Sequence, residues 1–278
     1  MKIKINSIKI NIKISFFVLT LLMIALRNLE QFFIAYIFMI VHELIHIVIS
    51  KEYGCKISSI NVMPIGLSAD IYGLEDISLW QRIIVVISAP IFNIIIGLIF
   101  INSYIGLINL CIGVFNLLPI YPLDGSKLMN YIGGYFFGTL RANRYIVNIS
   151  LFTCYSLIFV GCLQMILMSY NISLLLVAVY IIKESKKYEQ NIAYFLFKTL
   201  THKKKNRIMS VKYMAVASKT ELKTIVYRLG LDYYTILNIR DKEIKIEITE
   251  DMIQDFIEER GIHYNLVDII DKISYYNT

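Results

Sequence analysis

Apolar residues fall in long runs over the first two thirds of the chain, and these runs stop near residue 183. Six are candidate membrane spans, at roughly 14–27, 31–50, 83–101, 104–118, 146–168 and 171–183. A span needs about 20 apolar residues, within a range near 17–25, so the first, fourth and sixth are short. Two other stretches alternate between apolar and polar positions. Lys2-Ile3-Lys4-Ile5, then Ile8-Lys9-Ile10-Asn11-Ile12-Lys13-Ile14, predict strands. Residues 56–72, with Ile60, Val62, Pro64 and Gly66, predict strands or a hairpin. Open sheet edges cannot face lipid, so these strands belong at the interface or in a protein-lined cavity.

Beyond residue 183 the pattern changes. Ile192, Phe195, Leu196 and Leu200 recur at helical spacing before the basic run His202-Lys203-Lys204-Lys205-Asn206-Arg207. This predicts a helix lying on an anionic cytoplasmic membrane face, with a solvated linker as the alternative. Residues 208–278 predict strand, helix, strand, strand, helix. The first helix covers 220–229, with Leu222, Ile225, Val226 and Leu229 on one face. Strands follow at 233–239 and 245–248, and Thr249 is positioned to cap a second helix. The expected fold class is a polytopic α-helical membrane protein with short interfacial β-strands and a small α/β cytoplasmic domain. Its expected divisions are a membrane domain at 1–183, a basic amphipathic linker at 184–207 and a soluble domain at 208–278.

Composition agrees. The chain is 57% hydrophobic and 18% charged, with mean hydropathy +0.61. A soluble domain is about a quarter charged, so a wholly soluble protein is excluded. The net charge of +7 is read as basic residues flanking spans rather than a nucleic-acid surface. With the N-terminus inside, cytoplasmic segments carry Lys2, Lys4, Lys9, Lys13, Lys51, Lys56, Arg82, Lys127, Arg141, Arg144 and the run after Lys183. Outer loops carry only Arg27. Both termini are therefore expected in the cytoplasm, which requires an even number of spans. The first apolar run ends at Arg27-Asn28-Leu29 without a small-residue cleavage site, so no cleaved signal is expected. Cys55, Cys111, Cys154 and Cys162 form no CxxC pair and are expected to be buried single thiols.

One short run carries chemistry. His42-Glu43-Leu44-Ile45-His46 matches H-E-x-x-H. A helix turns about 100° per residue, so i and i+4 share a face and two imidazoles can grip one Zn²⁺. The Glu between them is placed to take a proton from the attacking water. Three ionisable residues in a span are costly, about 2.5–3.5 kcal/mol for a single charged residue at mid-helix, and a metal supplies their partner. Two satisfied core histidines without metal are the bland alternative. A catalytic zinc needs a third protein ligand. Asp70, Glu75, Asp76 and Asp124 are the cytoplasmic candidates. Asp124 follows Asn116-Leu-Leu-Pro119-Ile-Tyr-Pro122-Leu, where two prolines break the helix and line a cavity. An ordinary Asp124-Gly125 turn competes with that ligand role.

His42–His46 in the second span, followed by Asn116-Leu-Leu-Pro-Ile-Tyr-Pro-Leu-Asp124-Gly125, resembles the site-2 protease family of intramembrane metalloproteases. The resemblance is strongest to its sporulation branch, that of stage IV sporulation protein FB. It extends over the N-terminal strand, Met63-Pro-Ile-Gly66 and Ser88-Ala-Pro90-Ile-Phe-Asn93. It implies one Zn²⁺ per chain on His42, His46 and Asp124, with Glu43 as general base and Asn116 holding substrate or transition state near the metal. Ser126 stands where the family often has a second glycine, and Ser88-Ala89 where Ala-Gly is usual, both small-for-small changes. The substrate implied is a membrane-associated transcription-factor precursor, pro-sigma-K foremost. Inhibitory membrane partners and a homo-oligomer belong to the same expectation. Residues 208–278 resemble a single CBS module. The nucleotide signature of such modules is shortened here to Thr249-Glu250-Asp251, which puts ATP binding in doubt and leaves docking as the alternative. The competing class is a non-catalytic membrane protein, a zinc-binding regulator or a transporter. The internal repeats of a transporter are missing, and neither Glu43 nor a ligand is lost as in a dead protease.

Overall fold

The structure is a computed structural model. It describes residues 2–5, 8–25, 27, 29–63, 66–167, 175, 177–189, 209–241, 244–260 and 264–270. The chain divides into two compact units. One holds residues 1–128 and 149–185, the other 129–148 and 186–278.

The first unit opens with strands β1 (Lys2–Ile5) and β2 (Ile8–Ile12), then helices α1 (Ile14–Ala25) and α2 (Leu29–Glu52). Strands β3 (Lys56–Met63) and β4 (Gly66–Tyr72) follow. The two alternating stretches of the sequence meet in one sheet of order β1-β2-β3-β4. β1–β2 and β3–β4 are antiparallel, while β2 and β3 pair in parallel, with Ile10 opposite Ile60. Pairing leaves β1 and β4 as the outer strands. Asn11, Asn61, Asp70 and Ser59 form a hydrogen-bonded ladder across β2, β3 and β4. Tyr36 of α2 donates to the carbonyls of Met63 and Gly66, tying the hairpin end to the helix. Pro64 and Ile65 of the quoted motif lie outside the described residues.

Helix α3 (Leu79–Ile99) starts at a capping box, in which Ser78 and Gln81 satisfy each other's backbone N–H groups. It forms a hairpin with α4 (Tyr104–Asn116). The two backbones approach closely at Gly113, where a Cβ would sit 2.8 Å from the Pro90 carbonyl oxygen. Helices α5 (Asp124–Phe137) and α6 (Thr139–Leu167) follow, and residues 177–189 form helix α7.

Three helices are long and apolar enough to cross a membrane: Leu29–Glu52, Leu79–Ile99 and Thr139–Ile166. They correspond to the second, third and fifth expected spans. α1 has 12 residues and α4 has 13, so each reaches only about 20 Å at 1.5 Å per residue. Residues 168–174 and 176, which cover the end of the fifth expected span, the loop after it and part of the sixth, lie outside the described residues. Helix α7 continues through residue 183 to 189, where the linker was expected to begin. The linker's helical pattern at 192–200 and its basic run lie outside the described residues.

Burial in this unit is inverted relative to a soluble protein. Val48, Ile84, Ile95 and Phe159 are exposed, whereas His42, Glu43, His46, Asn93 and Asn109 are buried. Outward grease with inward polarity is the distribution that lipid surroundings impose. The four cysteines are free, but only Cys55 and Cys154 are buried. Cys111 and Cys162 are exposed on α4 and α6, correcting the expectation of four buried thiols. A thiol is apolar enough for such an outward face.

In the second unit, β5 (Ser210–Val216), α8 (Leu222–Val226), β6 (Tyr233–Asp241), β7 (Ile244–Thr249) and α9 (Glu250–Arg260) follow the expected order. β5–β6 pair in parallel and β6–β7 antiparallel. Leu222, Ile225, Leu229, Leu237, Ile248, Ile253, Phe256 and Leu266 form its core, joined by Leu140. Helix α8 is shorter than the expected 220–229. The Thr220 carbonyl accepts from Leu266, so the Thr224 N–H turns to Glu221, and at the other end the Arg228 and Leu229 N–H groups bond three residues back, to Ile225 and Val226, instead of four.

Candidate metal centre

Apolar residues on both sides of His42–His46 keep α2 helical through the motif, and the spacing puts both rings on one face. The rings stand 5.0 Å apart, centroid to centroid, and nearly perpendicular. The third carboxylate arrives from the other end of the α3–α4 hairpin. After Asn116 the chain turns through Leu117–Leu123 and begins α5 at Asp124. Ile120 and Leu123 anchor this loop in an apolar cluster with Cys154 and Ile181. Ser150 accepts the Tyr121 N–H, and Ser185 donates to the Tyr121 carbonyl. Gly125 is required because a Cβ there would collide with the carbonyl oxygens of Leu117 and Leu118.

Asp124 Oδ2 lies 3.0 Å from His42 Nε2 and 2.8 Å from His46 Nε2. His42, His46 and Asp124 form the one group of metal-binding side chains with clustered donor atoms among the described residues, all within 4.8 Å of one another. All three are buried. Asp70 instead accepts hydrogen bonds from Ser59 and Asn61 on the sheet, and Glu75 and Asp76 sit in the turn Leu74–Asp76.

The outer ring nitrogens test whether a cation fits. His42 Nδ1 lies 2.6 Å from Asn93 Oδ1, and His46 Nδ1 lies 2.8 Å from the Val85 carbonyl. Both partners are acceptors, so each ring donates from Nδ1. A neutral ring then turns the Nε2 lone pair toward the lone pairs of a carboxylate. Three such donors converging in a buried space repel one another unless a cation lies between them, and two N and one O donor suit Zn²⁺. The residues present therefore fit the metal. Burial alone would raise the Asp124 carboxyl; the Lys127 ammonium is the largest opposing influence, and the net direction is well below the usual carboxylate range.

Glu43 and Asn116 line the same cavity, about 40 Å³, with His42, Asp124 and Lys127. Glu43 Oε1 accepts the Ala69 N–H of β4 at 2.6 Å. Asn116 donates to the Ile112 carbonyl at 3.0 Å, keeping its amide at the end of α4.

Three supporting contacts were not legible in the motif: the Ala69 N–H, Lys127 and the pair Asn93–Asn109. Asn93 donates to Asn109, which donates to the Ile105 carbonyl, so a buried chain runs from His42 into α4. Asn93 carried a signal, since it closes the Ser88–Asn93 motif within an apolar helix. Asn93→Ala is expected to weaken zinc binding about 10–100-fold by freeing the His42 ring. Competition against a chelator checks this, and unchanged affinity would remove Asn93 from the site.

A peptidase family M50 model matches residues 97–161, which span α4, the return loop and most of α6. A zinc metalloprotease of Methanocaldococcus jannaschii, MJ0392, is 28% identical over 200 residues, covering 64% of this chain and 57% of its own length. The chain thus spans little more than half of that relative. The solved structure of a site-2 protease from Methanocaldococcus jannaschii superposes with a TM-score of 0.56 at 26% identity, over 67% of this chain and 94% of that one. The chain is thus similar over part of its length to a peptidase family M50 model, to a zinc metalloprotease and to a site-2 protease, and it combines three span-length helices with a His-His-Asp cluster.

Proposed function

We propose that this chain is an intramembrane zinc metalloendopeptidase that cuts a membrane-associated protein. His42, His46 and Asp124 hold the metal, Glu43 is the general base and Asn116 holds the substrate near the metal. One observation carries the reading: a buried cluster of three metal donors opens, through His42 and Asp124, onto a small cavity that a separate carboxylate, Glu43, also lines, inside an apolar helical unit. Zn²⁺, when bound, supplies Lewis acidity toward water and the scissile carbonyl. Glu43 takes the proton of the attacking water and passes it to the leaving amine. A Glu beside the donors but outside their cluster favours an enzyme over a non-catalytic zinc-binding regulator.

A substrate helix hides its carbonyls and must unwind to be cut. β4 is an outer strand that already touches Glu43, so an extended substrate adding to this edge would reach the base. A neighbouring apolar cavity of about 700 Å³ shares Met39, Asn116 and Leu123 with the metal cavity, which supports arrival from the lipid side.

The finer reading places six spans in the membrane with both termini in the cytoplasm, following the charge pattern. Residues 1–183 form the protease domain, 184–207 a membrane-surface linker and 208–278 a CBS-like domain. The substrate class is a sporulation sigma-factor precursor, pro-sigma-K foremost. Glu250 is buried and accepts the Thr235 N–H, and Asp251 accepts from Tyr234. Both carboxylates are spent inside the domain, which supports docking over ATP binding. Inhibitory membrane partners and self-association belong to the same reading.

Co-expression with a tagged precursor tests it. Cleavage is expected with the full chain and not with Glu43→Gln. A chain ending at 207 should process the precursor far less well than a short membrane peptide, because tethering raises local substrate concentration up to about the millimolar range. Cleavage of neither substrate by the full chain would sink the protease reading, and equal loss on both after truncation would sink docking.

A further inference from the structure

We propose that Lys127 is a positioning residue for the metal: it occupies the second oxygen of Asp124, keeps that carboxylate a one-oxygen ligand and so leaves a coordination position open for the reaction. The inference rests on the zinc-protease reading above.

The two oxygens of Asp124 face different partners. Oδ2 faces both histidines, while Oδ1 lies 2.9 Å from Lys127 Nζ. The pair is i,i+3 in the first turn of α5, where such side chains are neighbours. Side-chain exposure is 6% for Asp124 and 44% for Lys127. Lys127 is therefore partly exposed and avoids part of the desolvation cost of a buried charge. The carboxylate is buried, so its outer oxygen depends on the protein for a partner. Lys127 also lines the metal cavity.

A carboxylate can offer a metal one oxygen or both. Two histidines and both oxygens of Asp124 would complete a four-donor set and close the position a catalytic site keeps open. An ammonium on Oδ1 draws that oxygen's electron density away from the metal and fixes the rotation of the group. Lys127 otherwise reads as one more cytoplasmic-side charge, a role its contact with a ligand oxygen does not need.

The test compares the purified full-length wild type with Lys127→Met, which keeps the stem, and Lys127→Arg, which restores a cation. Zinc content is measured first, then the visible spectrum after cobalt replacement, then kcat and KM. Lys127→Met should retain one zinc per chain. Its cobalt spectrum should change from the wild type's, as expected when the second carboxylate oxygen takes the position left open in the wild type, and kcat should fall at unchanged KM. Lys127→Arg should recover both. A wild-type cobalt spectrum in Lys127→Met overturns the inference and leaves the protease reading intact. Loss of zinc in Lys127→Met also overturns it, because Lys127 would then hold the site together rather than set the ligand mode. A wild type that binds no zinc overturns both readings.

Discussion

Glu43→Gln should leave zinc bound and the fold unchanged while cleavage falls by about 10²–10⁴-fold, the range for losing a general acid–base group. The distinction rests on where Glu43 sits. It lies beside His42 and Asp124 in one cavity, but the clustered donor set is His42, His46 and Asp124. Its Oε1 accepts the Ala69 N–H, and an amide oxygen can still accept that bond. The β4 edge therefore stays docked in the variant. An amide cannot take a proton from water at neutral pH, so the chemical step alone is lost. Metal analysis and a cleavage assay on the same preparation check this. Cleavage within a few-fold of wild type would remove Glu43 as the base, and loss of zinc would make it a ligand.

Asp124→Ala should lose zinc outright, a larger effect than the about 10–100-fold weakening expected for a supporting residue such as Asn93. The change leaves two imidazoles whose Nε2 atoms have lost their common partner, and it strips Lys127 of its contact. Two neutral donors fall short of the three protein ligands a catalytic zinc site uses. Activity should vanish with the metal. Asp70→Ala, Glu75→Ala and Asp76→Ala should each keep zinc, because Asp70 is held on the sheet by Ser59 and Asn61 and the other two lie in the turn Leu74–Asp76. Zinc retained in Asp124→Ala but lost in one of these three would reassign the third ligand.

The sequence by itself determined whatever follows from local periodicity. H-E-x-x-H on an apolar helix is enough to put two imidazoles and a carboxylate on one side of α2, because the helical repeat does so wherever the helix goes. The alternation of residues 2–14 and 56–72 was enough for strands, and the order of elements after residue 208 was legible for the same reason. Element ends were not, since they depend on distant partners. α8 starts late because Leu266 takes the Thr220 carbonyl that a helix from 220 would use, and α7 runs on through charged residues to 189.

The third ligand is the clearest case of what the tertiary structure decided. Asp70, Glu75, Asp76 and Asp124 are equivalent as residue types, and from spacing alone Asp124 competes with a plain Asp-Gly turn. The close α3–α4 hairpin, the burial of Ile120 and Leu123, and the contacts of Tyr121 with Ser150 and Ser185 bring the return loop under α2. The parallel pairing of β2 with β3 likewise joins segments more than forty residues apart, as in Ile10 with Ile60, and leaves β4 as the edge beside Glu43. Asn93, Asn109, Lys127 and the Ala69 N–H act through contacts to residues on other elements or to a metal ligand. Such contacts have no period along the chain, so only packing reveals which polar residue meets which donor.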